Sequence, residues 1–294
     1  MFPIVLYLLA MEGLLSGKTV LVTGATSGIG FEASVKLARM GAELVLVGRN
    51  QTRGAAALAA VKRRSGSDAV SLMLCDFAFQ KQVRALAADL VATHPRLHIL
   101  VNNAGGANLK RQITQDGIEQ TFAVNHLAPF LLTSLLLDLL KRSAPARVVT
   151  VASIEHRSGD MPFDALQFEK GGYRVTRAYA RSKLANVLFT AELARRLAGT
   201  GVTANSLHPG AVATNIWSNA PWYVRPLLPV AQLFMLSAEK GADTIVHLAA
   251  SPEVEGLTGG YYEKNRMILP SRLAQDDAIA KSLWEQSAAL VGER

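Results

Sequence analysis

The sequence predicts an α/β fold in a single domain, a doubly wound parallel sheet with helices on both faces. Three observations carry that expectation. Short β-branched apolar runs alternate with longer helical patterns from Lys18 onward, the runs are apolar on both sides, and no repeat, low-complexity tract or linker interrupts the series. Strands of this kind are buried on both faces, and repeated β-α units supply the helices that bury them.

Taken in order, KTVLVT (18–23) reads as a strand, 29–40 as a helix, AELVLVG (42–48) as a strand and 50–64 as a helix. AVSLML (69–74) is the next strand, 80–93 a helix, LHILVN (97–102) a strand and 116–142 a long helical region. ARVVTVAS (146–153), a helix over 178–197, VTANSLH (202–208) and GGYYE (259–263) complete the series. Residues 18–294 thus form one domain, preceded by an apolar segment or extension at 1–17. The apolar run from Phe2 to Met11 falls short of the ~20 residues that span a bilayer. An interfacial anchor and a simple extension ahead of Met11 both stay open. The stretch WSNAPWYVRPLLPVAQLFML (217–236) breaks the pattern, and its three prolines and Arg225 favour an apolar lid near 215–237 over a membrane span. A dimer contact is the third reading of that stretch.

Half of the residues are hydrophobic and 18% are charged, which excludes a disordered chain. Cys75 is the single cysteine, so no internal disulfide forms and nothing demands an oxidising compartment. The expected location is cytoplasmic, with peripheral membrane contact left open. The net charge of +8 comes without basic runs interleaved with aromatics. A nucleic-acid partner is therefore not expected, and Lys62-Arg63-Arg64 reads as a solvated helix end.

In an open parallel sheet the ligand lies beyond the carboxyl ends of the strands. TGATSGIG (23–30) follows the first strand, and its glycines Gly24, Gly28 and Gly30 allow a tight turn that brings backbone N–H groups and a helix N-terminus to a pyrophosphate. Thr26, Ser27 and Ile29 belong to the same turn. At the end of the second strand, where an acidic residue would hold a ribose 2′-hydroxyl, stand Arg49 and Asn50. A guanidinium binds a 2′-phosphate bidentately, so NADP(H) is favoured over NAD(H). The alternative is an arginine that merely caps a helix. Asp76 and Phe77 follow the third strand, and Asp76 reads equally as an adenine contact or a helix N-cap. Asn103, Ala104 and Gly105 follow the fourth.

Tyr179 and Lys183 stand four apart on one helix face. A phenol with a pKa of ~10 needs a shift of roughly two to three units for acid–base work near neutrality, and a nearby ammonium favours the phenolate. Ser153 ends the fifth strand and offers a hydroxyl to a substrate oxygen. Asn125 falls within a helix, where its amide could hold a water and relay protons.

In this order, TGATSGIG, NNAG, the Asn125 region, Ser153, Tyr179-x-x-x-Lys183 and HPGAVAT (208–214) resemble the short-chain dehydrogenases/reductases over residues 18 to 263. The resemblance implies a Rossmann fold with Tyr179 as general acid/base. Lys183 then lowers its pKa and binds the ribose, Ser153 orients the carbonyl, and Asn125 supports a proton relay. Pro209, Gly210, Val212 and Thr214 line the nicotinamide. The 26-position spacing from Ser153 to Tyr179 (179 − 153) and the AYARSKLANVLFTAELARRL helix are similar to the retinol dehydrogenase-like branch. That branch implies a lipophilic carbonyl or alcohol substrate. The family also implies a homodimer or homotetramer paired through the helices holding LLTSLLLDLL (131–140) and Tyr179.

Three rivals were set beside this reading. A serine hydrolase built on Ser153 with His156 or His208 lacks the G-x-S-x-G elbow. A metal site at His94 and His98 lacks further ligands. A catalytically silent NADP-binding regulatory protein on the same fold would have no need of the tyrosine and lysine.

Overall fold

The computed structural model describes residues 13–210 and 237–293. The apolar run of 1–12 and the lid segment of 217–236 lie outside the described residues, as do Val212 and Thr214.

The chain runs β1 (Thr19–Thr23), α1 (Gly28–Arg39), β2 (Glu43–Gly48), α2 (Gln51–Ser65), β3 (Val70–Leu74), α3 (Gln80–Thr93) and β4 (Ile99–Asn102). It continues with α4 (Gln120–Arg142), β5 (Ala146–Val151), a 3₁₀ turn (Ile154–Ser158), α5 (Val175–Arg196) and β6 (Val202–Leu207). Then come α6 (Ala238–Gly241), α7 (Asp243–Ala250), β7 (Tyr261–Glu263), β8 (Arg266–Ile268) and α8 (Asp277–Val291). The strands form one sheet in the order β3-β2-β1-β4-β5-β6-β7-β8. Neighbours are parallel except β7 and β8, which form an antiparallel hairpin.

Alternation along each strand divides the core in two. Leu21 on β1 packs into the layer built from α3, α4, α5 and α8. Its neighbours Val20 and Val22 pack into the opposite layer with α1 and α7. All five residues of β1 are buried, which is why its centre, Val20-Leu21-Val22, is continuously apolar. Strand order reverses between β1 and β4, both paired in parallel register through Leu21 to Val45 on one side and Leu100 on the other. Loops leaving those two strands diverge and open a crevice at their carboxyl ends.

Several boundaries differ from the sequence expectation. Helix α4 begins at Gln120 rather than 116, because Glu119 caps it by accepting from the backbone N–H groups of Thr121 and Phe122 at 2.8 Å. Asp116 serves a different helix, accepting from the N–H of Gln80 at the start of α3. Residues 123–127 of α4 form a π-helical turn, a wider loop of backbone that recurs at functional sites. Elements α7, β8 and α8 were absent from the expectation. By length and composition α4 is apolar enough to cross a membrane, yet 72% of its most apolar window is buried inside the protein. It is a core helix.

Helix α8 packs on α4 and α5. Trp284 lies between Phe130 and Phe189, with ring centroids 4.9 and 5.9 Å away. The guanidinium of Arg196 sits 4.3 Å over the same ring, and His126 Nε2 meets Ser287 Oγ at 2.8 Å.

Candidate active site

A cleft of about 580 Å3 follows the carboxyl ends of β1, β2, β4 and β5. Its walls include Gly24, Thr26, Ser27, Gly28 and Ile29 from the first turn, Arg49 and Asn50 after β2, and Asp76 and Phe77 after β3. Asn103, Ala104 and Gly105 contribute from the end of β4. Asn125, Ser153, Tyr179, Lys183, Pro209 and Gly210 close the other end. Tertiary folding therefore brings residues from eight separate parts of the chain to one surface, as the order of strands requires. Gly30 is the described exception and is buried behind the wall.

The first turn is tighter than the sequence alone discloses. Gly24 and Gly28 have φ of 65° and 60°, a region open to glycine. A β-carbon on Gly30 would come within 2.3 Å of Asn103 Nδ2, and one on Gly24 within 2.8 Å of the Ala104 backbone. Those two glycines are thus required by the protein's own packing, not only by a ligand's approach. Asn103 explains the closeness: its amide donates to the carbonyls of Thr23 and Gly24 and fastens the end of β4 to the end of β1. The Ser27 side chain does not cap α1, so the first-turn N–H groups face the cleft as anion donors.

At the end of β2, Asn50 is the cap of α2, accepting from the N–H of Arg53 at 2.9 Å. Arg49 is therefore free of the capping role that was its alternative reading. It stands exposed, with Arg53 of the first turn of α2 on the same cleft. Asp76 is not the N-cap of α3 either, since that position belongs to Phe79. Its carboxylate accepts from the N–H of Ala78 and rigidifies the turn. The donor set fits a dinucleotide with a phosphate at its ribose: backbone N–H groups at a helix N-terminus for the pyrophosphate, and two cations where β2 ends.

At the opposite end, Lys183 Nζ donates to the Val151 carbonyl at 2.9 Å and lies 5.6 Å from the centre of the Tyr179 ring. Gly105 closes over it, since a β-carbon there would stand 3.5 Å from Nζ and 3.1 Å from Asn125 Oδ1. Ser153 Oγ accepts from the N–H of Glu155 at 3.2 Å, which leaves the hydroxyl proton free to donate. Burial pushes the Tyr179 phenol up to about 12, opposed by the Ser153 hydroxyl and reinforced by the carboxylate of Glu155. The sequence expectation was a lowered phenol. Among the protein's own groups desolvation wins, because the phenolate is charged and the phenol is not.

Lys183 is driven down to about 8 by the same burial, from an ordinary 10.5. The folded chain gives up this proton more readily than the unfolded chain, so stability rises with pH between those two values and the full cost of the buried charge is borne below pH 8. At about 1.36 kcal/mol per unit that cost is on the order of 3 kcal/mol, against about 1 kcal/mol for the hydrogen bond to Val151. Lys183→Met is expected to be more stable than the native chain by about 2 kcal/mol in urea unfolding at pH 7. The gain should shrink as pH approaches 10.5; a variant less stable at pH 7 would show that the charge is well solvated.

Asn125 lines the cleft and also braces its wall. It is buried within the π-helical turn, its Oδ1 accepts from the N–H of Gly106, and its Nδ2 donates to the Gly106 carbonyl and to Ser182 Oγ. Both amide protons are engaged, so a water held by the side chain would donate to Oδ1. The same bonds brace the Gly105–Gly106 turn against α5. Ser182 and Gly106 are not legible as its partners from residue order, because neither is near in the chain.

The rival constellations have no geometry to support them. His156 meets the carbonyl of Ser153, not its hydroxyl, and His208 Nδ1 accepts from the N–H of Gly210. His98 Nδ1 accepts from the N–H of Thr19, at the far end of the sheet from the cleft. Residues that sequence reasoning passed over include Arg53, Gly106, Asn108, Thr121 and Glu155, all on the cleft wall. Arg53 had a signal, a second cation in the first turn of the helix that follows Arg49.

Comparison with known proteins places this geometry. The sequence profile described as short chain dehydrogenase matches residues 18–222. Retinol dehydrogenase 14 of Homo sapiens is 43% identical over 298 residues, spanning 95% of this chain and 88% of its own length. An uncharacterised protein of Mycobacterium paratuberculosis superposes with a TM-score of 0.79 at 29% identity, covering 98% of this chain and 97% of that one. RhlG of Pseudomonas aeruginosa, solved as an active-site complex with NADP, gives a TM-score of 0.69 at 25% identity over 85% of this chain and 96% of its own. The chain belongs to the short-chain dehydrogenase/reductase family of oxidoreductases, close to its retinol dehydrogenase branch.

Proposed function

We propose that the protein moves a hydride between NADP(H) and a lipophilic carbonyl/alcohol pair, with a retinal-like aldehyde or a ketone as the carbonyl partner. The observation that carries this reading is one cleft with two cations, Arg49 and Arg53, at one end and Ser153, Tyr179 and Lys183 at the other. A guanidinium pair suits a ribose phosphate, whereas a carboxylate there would suit the bare 2′-hydroxyl. When bound, the coenzyme supplies the hydride and, in its oxidised form, a positive charge near the phenol.

The chain's own residues do the rest. Ser153 donates to the carbonyl oxygen and orients it. Tyr179, held protonated by burial, delivers a proton to that oxygen as an alcohol forms. Lys183, fixed through Val151, offers its remaining N–H groups beside Gly105 to a ribose hydroxyl and keeps a cation behind the ring. Asn125 and Asn103 hold the turns that shape the cleft. The lipophilic substrate class is supported by the name of the retinol dehydrogenase relative.

The test is a screen of NADPH and NADH oxidation against retinal, aliphatic aldehydes, ketones and quinones. Turnover of retinal or a long-chain aldehyde with NADPH is the expected result. Tight NADPH binding with no turnover on any of them would leave a nucleotide-binding protein and remove the enzymatic reading.

A further inference from the structure

Behind the cleft wall, three chain segments meet at the backbone of Ser153. This residue is extended, with φ −159° and ψ 158°, and heads the 3₁₀ turn Ile154–Ser158. Its carbonyl oxygen takes the backbone N–H of His156 at 3.2 Å and the His156 ring nitrogen Nδ1 at 2.8 Å. The hydroxyl of Tyr261, from β7, donates to the same oxygen at 3.3 Å. On its other side the imidazole meets the segment that follows β8: His156 Nε2 accepts from the backbone N–H of Ser271 at 3.0 Å. Arg157, next in the turn, donates to the carbonyl of Leu269 in that segment at 2.8 Å.

These contacts fix the tautomer. A backbone N–H can only donate, so Nε2 must present its lone pair to Ser271 and the ring proton must sit on Nδ1, aimed at Ser153. The imidazole is fully buried and packs edge-on against Tyr261 with centroids 4.8 Å apart. A charged ring would place a second N–H against the N–H of Ser271, and burial already pushes the ring below its ordinary range. The ring is thus a rigid bridge with one donor end and one acceptor end.

We propose that His156 is the positioning residue of Ser153: its Nδ1–H, oriented by Ser271 and seconded by Tyr261, holds the Ser153 carbonyl and thereby sets where the Ser153 hydroxyl points into the cleft. The segment after β8, more than a hundred residues downstream in the chain, in this way determines the alignment of a group at the end of β5. This rests on the reading of Ser153 as the residue that orients the substrate oxygen.

Two substitutions separate positioning from mere support. His156→Asn keeps a donor near the place of Nδ1 and loses the acceptor for Ser271. His156→Gln keeps an acceptor near the place of Nε2 and loses the donor to Ser153. Each removes one buried hydrogen bond, so the two should lower the melting temperature alike. With NADPH and retinal, His156→Gln is expected to lower kcat about tenfold or more, as misplacement of an aligned group does. The KM for NADPH should stay within about twofold, and His156→Asn should retain kcat within about threefold of the native chain.

Ser153→Ala is measured alongside. If it turns over retinal as the native chain does, the reading of Ser153 fails and takes the proposal with it. If Ser153→Ala is impaired while the two His156 variants share the same kcat, the proposal alone is overturned. Independently of turnover, 15N spectra of histidine-labelled protein at pH 7 should show His156 protonated on Nδ1 only; an Nε2–H ring would refute the bridge.

Discussion

Tyr179→Phe is expected to lower turnover by about a thousandfold, within the range that loss of a positioned acid–base group produces. NADPH binding should stay within about threefold of the native value, because the ring, its burial and the surrounding glycine turns are retained. The physical reason lies in the protonation state. Burial holds the phenol at about 12, so at neutral pH it is a donor ready to protonate a carbonyl oxygen. Phenylalanine fills the same volume and offers no proton. Steady-state assays with retinal and NADPH, paired with a titration of coenzyme binding, check both halves. Turnover near the native rate would remove Tyr179 from the chemistry, whereas a parallel collapse of binding would mean that its hydroxyl serves the coenzyme.

Arg49→Asp is expected to reverse the preference for NADPH over NADH, with the ratio of kcat/KM values shifting by about 100-fold, since a charge-assisted bond is replaced by repulsion. Asn50 caps α2 and would continue to do so, so the helix that follows should be undisturbed. Arg53 remains on the same cleft and limits the size of the shift. Both arginines are exposed, so the KM for NADPH should also rise with ionic strength, more than that for NADH. Unchanged preference in the variant would transfer the phosphate site elsewhere.

Both predictions use residues that sequence reading picked out, and the reasons for that success are local. Strands with continuous apolar centres, such as 20–22 and 44–47, are buried on both faces, so a parallel sheet with two helical layers follows from composition and spacing. Once the sheet is parallel, every loop after a strand faces one edge, and TGATSGIG, Arg49, Ser153 and the Tyr179–Lys183 pair are placed together without further information.

What the sequence missed depends on partners distant in the chain. Helix α8 was not expected, and its Trp284 packs against Phe130 of α4 and Phe189 of α5. The bonds of Asn125 to Gly106 and Ser182, and the tie that Asn103 makes from β4 to β1, come only with the fold. Asp76 and Asp116 both sit at helix boundaries by spacing, yet only Asp116 bonds a helix's first N–H, and the helix is one that lies earlier in the chain.

From residue types and their order alone came the layered α/β architecture, the edge of the sheet that bears the site, and most of the groups that meet there. These rest on strand burial, chain direction and helical spacing, all short-range properties. Tertiary structure alone decided how each group is charged and aimed: that Tyr179 is a protonated phenol, that Lys183 is strained by burial, and that His156 faces the Ser153 backbone. Solvent exclusion and hydrogen-bond competition among segments far apart in the chain set those properties, and neither exists until the chain has closed on itself.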